Sequence, residues 1–99
     1  MFVRVASVTE LKPGEGKTIL SNGKEIALFN AGGNFFAIQN ECPHRGDPLG
    51  EGILSDTSVI CPLHAWMFDL KTGGCINNPG KTIKTFPVKI EGSDVMVDL

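Results

Sequence analysis

Cys42 and His44 in Cys-Pro-His-Arg-Gly, with Cys61 and His64 in Cys-Pro-Leu-His, are the residues of this 99-residue chain best suited to chemistry. Each stretch offers one thiolate sulfur and one imidazole nitrogen, and sixteen residues separate His44 from Cys61. Two metal chemistries use that donor set. A tetrahedral zinc ion is satisfied by two Cys and two His. A 2Fe-2S cluster in which two histidines replace two cysteines on one iron needs the same four, and the substitution raises its reduction potential. Structural zinc sites usually draw like ligands from each arm, Cys-x2-4-Cys followed by His-x3-5-His. Here both arms are mixed, which suits two metals: each loop gives its Cys to one iron and its His to the other. The pattern predicts a one-electron carrier with one cluster per chain, Cys42 and Cys61 on one iron and His44 and His64 on the other. A zinc-stapled interaction module is the alternative from another class.

His44 and His64 are the only histidines in the chain. A mononuclear oxygen-activating iron, held by two histidines and a carboxylate, would need more. The chain therefore supplies electrons to a partner and is not catalytic alone. Its length predicts one domain over 1–99, without room for a second catalytic unit. A net charge of -2 and the lack of any Lys/Arg cluster argue against nucleic acid or an anionic membrane as partner. The first residues, Met1-Phe-Val-Arg-Val-Ala6, carry no export signal, and no apolar run reaches the roughly 18 residues of a membrane span. Two of the three cysteines are committed as ligands, which leaves Cys75 without a disulfide partner and predicts a reducing, cytoplasmic location.

The elements that must position these ligands read as strands throughout, because no stretch of a dozen residues holds a helical period. Expected strands are Phe2 to Ala6, Lys17 to Leu20, Glu25 to Phe29, Phe35 to Gln39, Thr57 to Ile60, Met67 to Asp69, Thr85 to Ile90 and Val95 to Val97. Ser21-Asn-Gly-Lys24 signals a hairpin through a type I′ turn. Ala31-Gly-Gly-Asn34, Lys71-Thr-Gly-Gly74 and Glu91-Gly-Ser-Asp94 punctuate the chain similarly. Pro87 suggests an edge strand, and Phe86, Val88 and Ile90 alternate as one core-facing row. Ser7-Val-Thr-Glu10 matches a capping box with room for a single helical turn before Pro13. The fold class is all-β: a small antiparallel barrel or sandwich carrying an inserted metal-binding subdomain at about 41–70, with two Pro- and Gly-rich loops around a short strand.

The run Cys42-Pro-His-Arg-Gly-Asp-Pro-Leu49, with Cys61-Pro-Leu-His-Ala-Trp-Met-Phe-Asp-Leu-Lys-Thr-Gly73, resembles the Rieske family. The resemblance implies a Rieske fold and a Rieske-type 2Fe-2S cluster on Cys42, His44, Cys61 and His64. Within the family, Ile83-Lys-Thr-Phe-Pro-Val88 looks most like the small subunit of assimilatory NAD(P)H nitrite reductase, whose partner is a large subunit bearing flavin, siroheme and an iron-sulfur cluster. The alternative is a stand-alone Rieske ferredoxin shuttling between a flavin reductase and an aromatic-ring dioxygenase. The high-potential Rieske proteins of respiratory complexes are less similar. They carry a loop-bracing disulfide, and Ser and Tyr hydroxyls that hydrogen-bond the cluster and its ligand sulfur. At the matching positions this chain has Asp47, Leu63, Trp66 and Phe68, and it contains no tyrosine. The comparison implies a potential near the low end of the Rieske range, about -150 mV.

Around the ligands, Pro43, Pro48, Leu49, Pro62, Leu63 and Trp66 either stiffen and fill the loops or form an apolar collar where a partner docks, with Leu63 the foremost docking candidate. Gly46, Gly50 and Gly52 would allow amides to approach the cluster sulfurs, although Gly52 reads better as an ordinary turn glycine. Arg45, Asp47 and Asp69 are candidates for loop-fixing ion pairs. Cys75 reads as a buried inert thiol.

Overall fold

The computed structural model describes residues 1–43, 46–62 and 66–99. Among them the chain forms ten strands and one 3-10 turn. The strands are β1 (Phe2–Ser7), β2 (Gly16–Ser21), β3 (Lys24–Ala31), β4 (Asn34–Gln39), β5 (Ile53–Ser55), β6 (Ser58–Ile60), β7 (Met67–Asp69), β8 (Thr85–Phe86), β9 (Val88–Glu91) and β10 (Asp94–Asp98). They assemble into three antiparallel sheets of order β1-β10-β9, β2-β3-β4-β8 and β5-β6-β7. The expected all-β architecture is what the chain adopts.

β3 explains how the layers stack. Its run Ile26-Ala-Leu-Phe-Asn-Ala31 is buried throughout, because both faces of this strand meet apolar neighbours. On one face Ile26 and Leu28 join Ala6, Ala37, Val95 and Val97 in a core under the β1-β10-β9 sheet. On the other, Ala27 and Phe29 join Ile38, Leu49, Val59 and Phe68 beneath the β5-β6-β7 sheet. The middle sheet thus forms the floor of the small sheet that carries the second Cys-His motif. Burying a Phe or Ile side chain contributes about 1.5–3 kcal/mol, so the two-faced strand ties both layers together.

Turn chemistry fixes the hairpins. Asn22 (φ 53°) and Gly23 (φ 75°) are both left-handed between β2 and β3, as a type I′ turn requires. Of the expected capping box only the return bond forms, Ser7 N–H to the Glu10 carboxylate; the Glu10 N–H donates to the Ser7 main-chain oxygen at 3.0 Å as in a turn, and no helix follows.

Three expectations need correction. The span Thr85 to Ile90 is two strands, because Pro87 has no N–H to continue a ladder. β8 borders β4 and β9 borders β10, so the chain changes sheets at the proline. Phe86 and Val88 pack on the core, but Ile90 is exposed. The segment around the second motif holds a sheet of three strands, with β5 turning into β6 through Asp56 at φ 55°.

Candidate metal centre

Both cysteine motifs sit in loops with the same closure. In the first, a bridge pairs Glu41 with Pro48, and the Cys42 N–H donates to Asp47 O at 2.9 Å. In the second, Ile60 pairs with Met67, and the Cys61 N–H donates to Trp66 O at 2.8 Å. Each cysteine is therefore the first residue of a six-residue loop, and its own amide closes the neck. Cys42 and Cys61 are each 1% exposed and share one apolar cluster with Leu49, Val59 and Phe68. Both carry thiols rather than disulfide sulfurs. His44 and His64, with Arg45, Leu63 and Ala65, lie outside the described residues.

The flanking residues behave variously. Leu49 is fully buried and belongs to the core, not to an exposed collar. Pro43 and Pro62 are exposed and Pro48 is half-buried, so they remain at the surface. Trp66 is half-buried and meets Phe68 edge to face, with ring centroids 6.4 Å apart. Asp47 turns its carboxylate toward the ligand loop: the Cys61 thiol donates to Asp47 Oδ2 at 3.7 Å. Asp69 works as a turn cap, its Oδ1 accepting the Lys71 N–H at 2.7 Å and the Thr72 N–H at 3.3 Å. Cys75 is 7% exposed, and its thiol donates to Asn77 Oδ1 at 3.4 Å.

The glycine amides expected near sulfur are engaged by oxygen. Gly46 N–H donates to Cys42 O at 2.7 Å, Gly52 N–H to Leu49 O at 2.9 Å and Gly50 N–H to Asn40 Oδ1 at 2.9 Å. Two of these glycines serve close packing instead. A Cβ at Gly50 would overlap Thr18 on β2, and one at Gly52 would overlap the Ile60 carbonyl. The 3-10 turn Leu49–Glu51 is thus pressed between the middle sheet and β6.

Sequence reasoning missed Asn40 and Thr18. Asn40 is 3% exposed, and its Oδ1 also accepts the Thr18 hydroxyl at 3.0 Å. An Asn ending a strand reads as a turn residue, and only its position two residues before Cys42 hinted otherwise.

Chemically, the described part of the site offers two soft sulfur donors on separate loop necks, both packed in the apolar cluster of Leu49, Val59 and Phe68, with the Asp47 carboxylate beside one of them. Thiolate sulfur is a ligand for both iron and zinc. The donor chemistry fits a cluster held through both loops.

Comparison with known proteins agrees. The Rieske [2Fe-2S] domain model matches residues 1–87. The biphenyl dioxygenase ferredoxin subunit of Pseudomonas sp. (strain KKS102) is 38% identical over 98% of this chain and 91% of its own length. A solved ferredoxin from Sphingomonas yanoikuyae B1 superposes with a TM-score of 0.91 at 32% identity, covering 100% of this chain and 99% of that one. A structure described as an NADH-dependent nitrite reductase small subunit from Mycobacterium tuberculosis gives 0.90 at 25% identity, covering 98% and 93%. With two mixed Cys-His loops of matched closure and a family match across most of its length, the chain belongs to the Rieske [2Fe-2S] domain family.

Proposed function

We propose that Cys42, His44, Cys61 and His64 hold one Rieske-type 2Fe-2S cluster, and that the chain is the ferredoxin component carrying electrons from a flavin reductase to a ring-hydroxylating dioxygenase. The observation that carries the ligand assignment is the matched pair of loop necks, each opening on a buried cysteine. When bound, the cluster accepts and releases one electron. The chain's own residues do the rest. Cys42 and Cys61 hold from the buried side, the apolar cluster of Leu49, Val59 and Phe68 excludes water from them, and the exposed Pro43 and Pro62 stand where a partner can approach.

The nitrite reductase small subunit, to which Ile83 to Val88 pointed, yields to the ferredoxin reading. The dioxygenase ferredoxin relative is 38% identical, whereas the nitrite reductase subunit structure is 25% identical. An identity of 38% with 98% of the chain covered outweighs one six-residue run. We treat residues 1–99 as one domain with the cluster-bearing part at about 41–70. No helix among the described residues is long and apolar enough to cross a membrane. A cytoplasmic setting suits three cysteines that form no disulfide.

Electron transfer to a purified dioxygenase tests the role. The reduced protein should be reoxidised by the oxygenase and re-reduced by NADH through a flavin reductase. Stable copurification with a large flavin- and siroheme-containing subunit, with no exchange to an oxygenase, would restore the nitrite reductase reading.

A further inference from the structure

We propose that Asn40 is the positioning residue of the cluster site: its buried carboxamide oxygen, shared by the Gly50 amide and the Thr18 hydroxyl, seats the first ligand loop on β2 and sets where Cys42 stands relative to Cys61. The inference rests on the four-ligand reading above.

Asn40 bonds in three directions. Its main-chain oxygen accepts the Leu49 N–H at 2.7 Å. Its Oδ1 accepts the Gly50 N–H at 2.9 Å and the Thr18 hydroxyl at 3.0 Å, and its Nδ2 donates to Glu25 Oε1 at 3.4 Å. One residue is thus bonded to the return arm of the loop and to the neighbouring strands β2 and β3, two positions before a ligand. The packing is equally close, since a Cβ at Gly50 would stand 2.5 Å from Thr18 Oγ1 and 2.6 Å from Thr18 N.

Apolar contact alone would not fix the loop along the strand direction. The Leu49 side chain is held by non-directional contacts that tolerate small slides. Two hydrogen bonds converging on one oxygen do not, because they weaken steeply with angle. A 97%-buried amide in a joint between layers is costly unless satisfied, and here its oxygen has two donors. Groups of this kind orient metal ligands without touching the metal.

The test uses the cluster-loaded protein and its metal-free form. Asn40→Leu removes the acceptor on the same branched side-chain frame and should lose the cluster to excess chelator about 10-fold faster than wild type, with broadened g features in the reduced state. Thr18→Val should lose the cluster about 3-fold faster, and Thr18→Ser should restore the wild-type rate. In metal-free protein, the Gly50 amide should exchange with solvent at least about 10-fold faster in Asn40→Leu. A folded Asn40→Leu protein with wild-type loss rate and line shape would overturn the proposal. If Asn40→Leu does not fold, the Thr18 pair decides, and a Thr18→Val protein as retentive as wild type overturns it. Failure of the wild-type protein to bind iron and sulfide would instead overturn the four-ligand reading, while Gly50 exchange would still report the joint.

Discussion

Substituting Gly50 by Ala isolates the packing of the first ligand loop against β2. Gly50 lacks the positive φ of the turn glycines, so alanine suits its backbone and the whole penalty is steric. The new Cβ would lie 2.5 Å from Thr18 Oγ1, 2.6 Å from Thr18 N and 2.8 Å from Lys17 C. Two of those atoms are backbone within the middle sheet and cannot swing aside. The loop must then retreat by about 0.4 Å or more to reach tolerable contact. That retreat stretches the 2.9 Å bond from Gly50 N–H to Asn40 Oδ1 toward the limit of a useful hydrogen bond. Overpacking of this kind costs about 1–3 kcal/mol, and depriving a buried amide of its acceptor costs about 1–3 kcal/mol. The alanine recovers about 0.4–1 kcal/mol by stiffening the unfolded chain. The net is centred at about 3 kcal/mol of destabilisation, within about 1–5 kcal/mol, a large part of the roughly 5–15 kcal/mol a domain possesses. Urea unfolding of the metal-free protein, followed by the single tryptophan Trp66, should show the midpoint lowered by about 2–3 M at a slope of about 1.2 kcal/mol per M. Gly92→Ala is the control: its φ of 62° is left-handed and nothing lies within 4 Å, so it should cost only about 1–2 kcal/mol. A Gly50→Ala protein within about 0.5 kcal/mol of wild type would refute the described contact between the loop and β2.

Cys61→Ser should abolish the cluster and lower the thermal stability of both loops, because metal-binding energy is also folding energy in a small site; unchanged colour and melting temperature would remove Cys61 from the ligand set. Asp47→Asn takes a negative charge from beside the Cys61 sulfur, 3.7 Å away, which favours the more negative reduced state. One charge at that range is worth about 1 kcal/mol even when screened as in water, so the midpoint should rise by about 40 mV or more, and an unchanged or lower midpoint would contradict the reasoning. The wild-type potential should lie near about -150 mV and stay flat around neutrality. A midpoint above about +100 mV, or a steep slope already at pH 7, would mean hydrogen-bond donors to the cluster that the loops have not revealed.

The parts of this molecule legible in the amino-acid sequence are those governed by local rules. Asn22-Gly23 marks its hairpin because few residues accept consecutive left-handed conformations, and the paired Cys-x-His and Cys-x2-His motifs announce their donors because metal chemistry restricts the residue types. What stayed hidden depends on partners distant in sequence. Ile53-Leu-Ser55 is a strand only because Leu54 pairs with Val59, and three residues between Gly52 and Asp56 otherwise resemble loop. Leu49 looked like a surface collar, since nothing in its neighbours reveals that β3 lies beneath it. Gly50 reads toward sulfur and Gly52 as an ordinary turn glycine, yet what demands glycine at each is the approach of Thr18 and of Ile60. Asn40 resembles any turn asparagine until Thr18, twenty-two residues earlier, is brought against it.

The central claim, that two mixed Cys-His loops hold one two-iron cluster, is tested most directly by metal and sulfide analysis of the purified protein together with electron paramagnetic resonance of its reduced form. The account predicts about two irons and about two acid-labile sulfides per chain, with a reduced-state signal of low average g value. One zinc per chain, with no visible colour and no such signal, would contradict it.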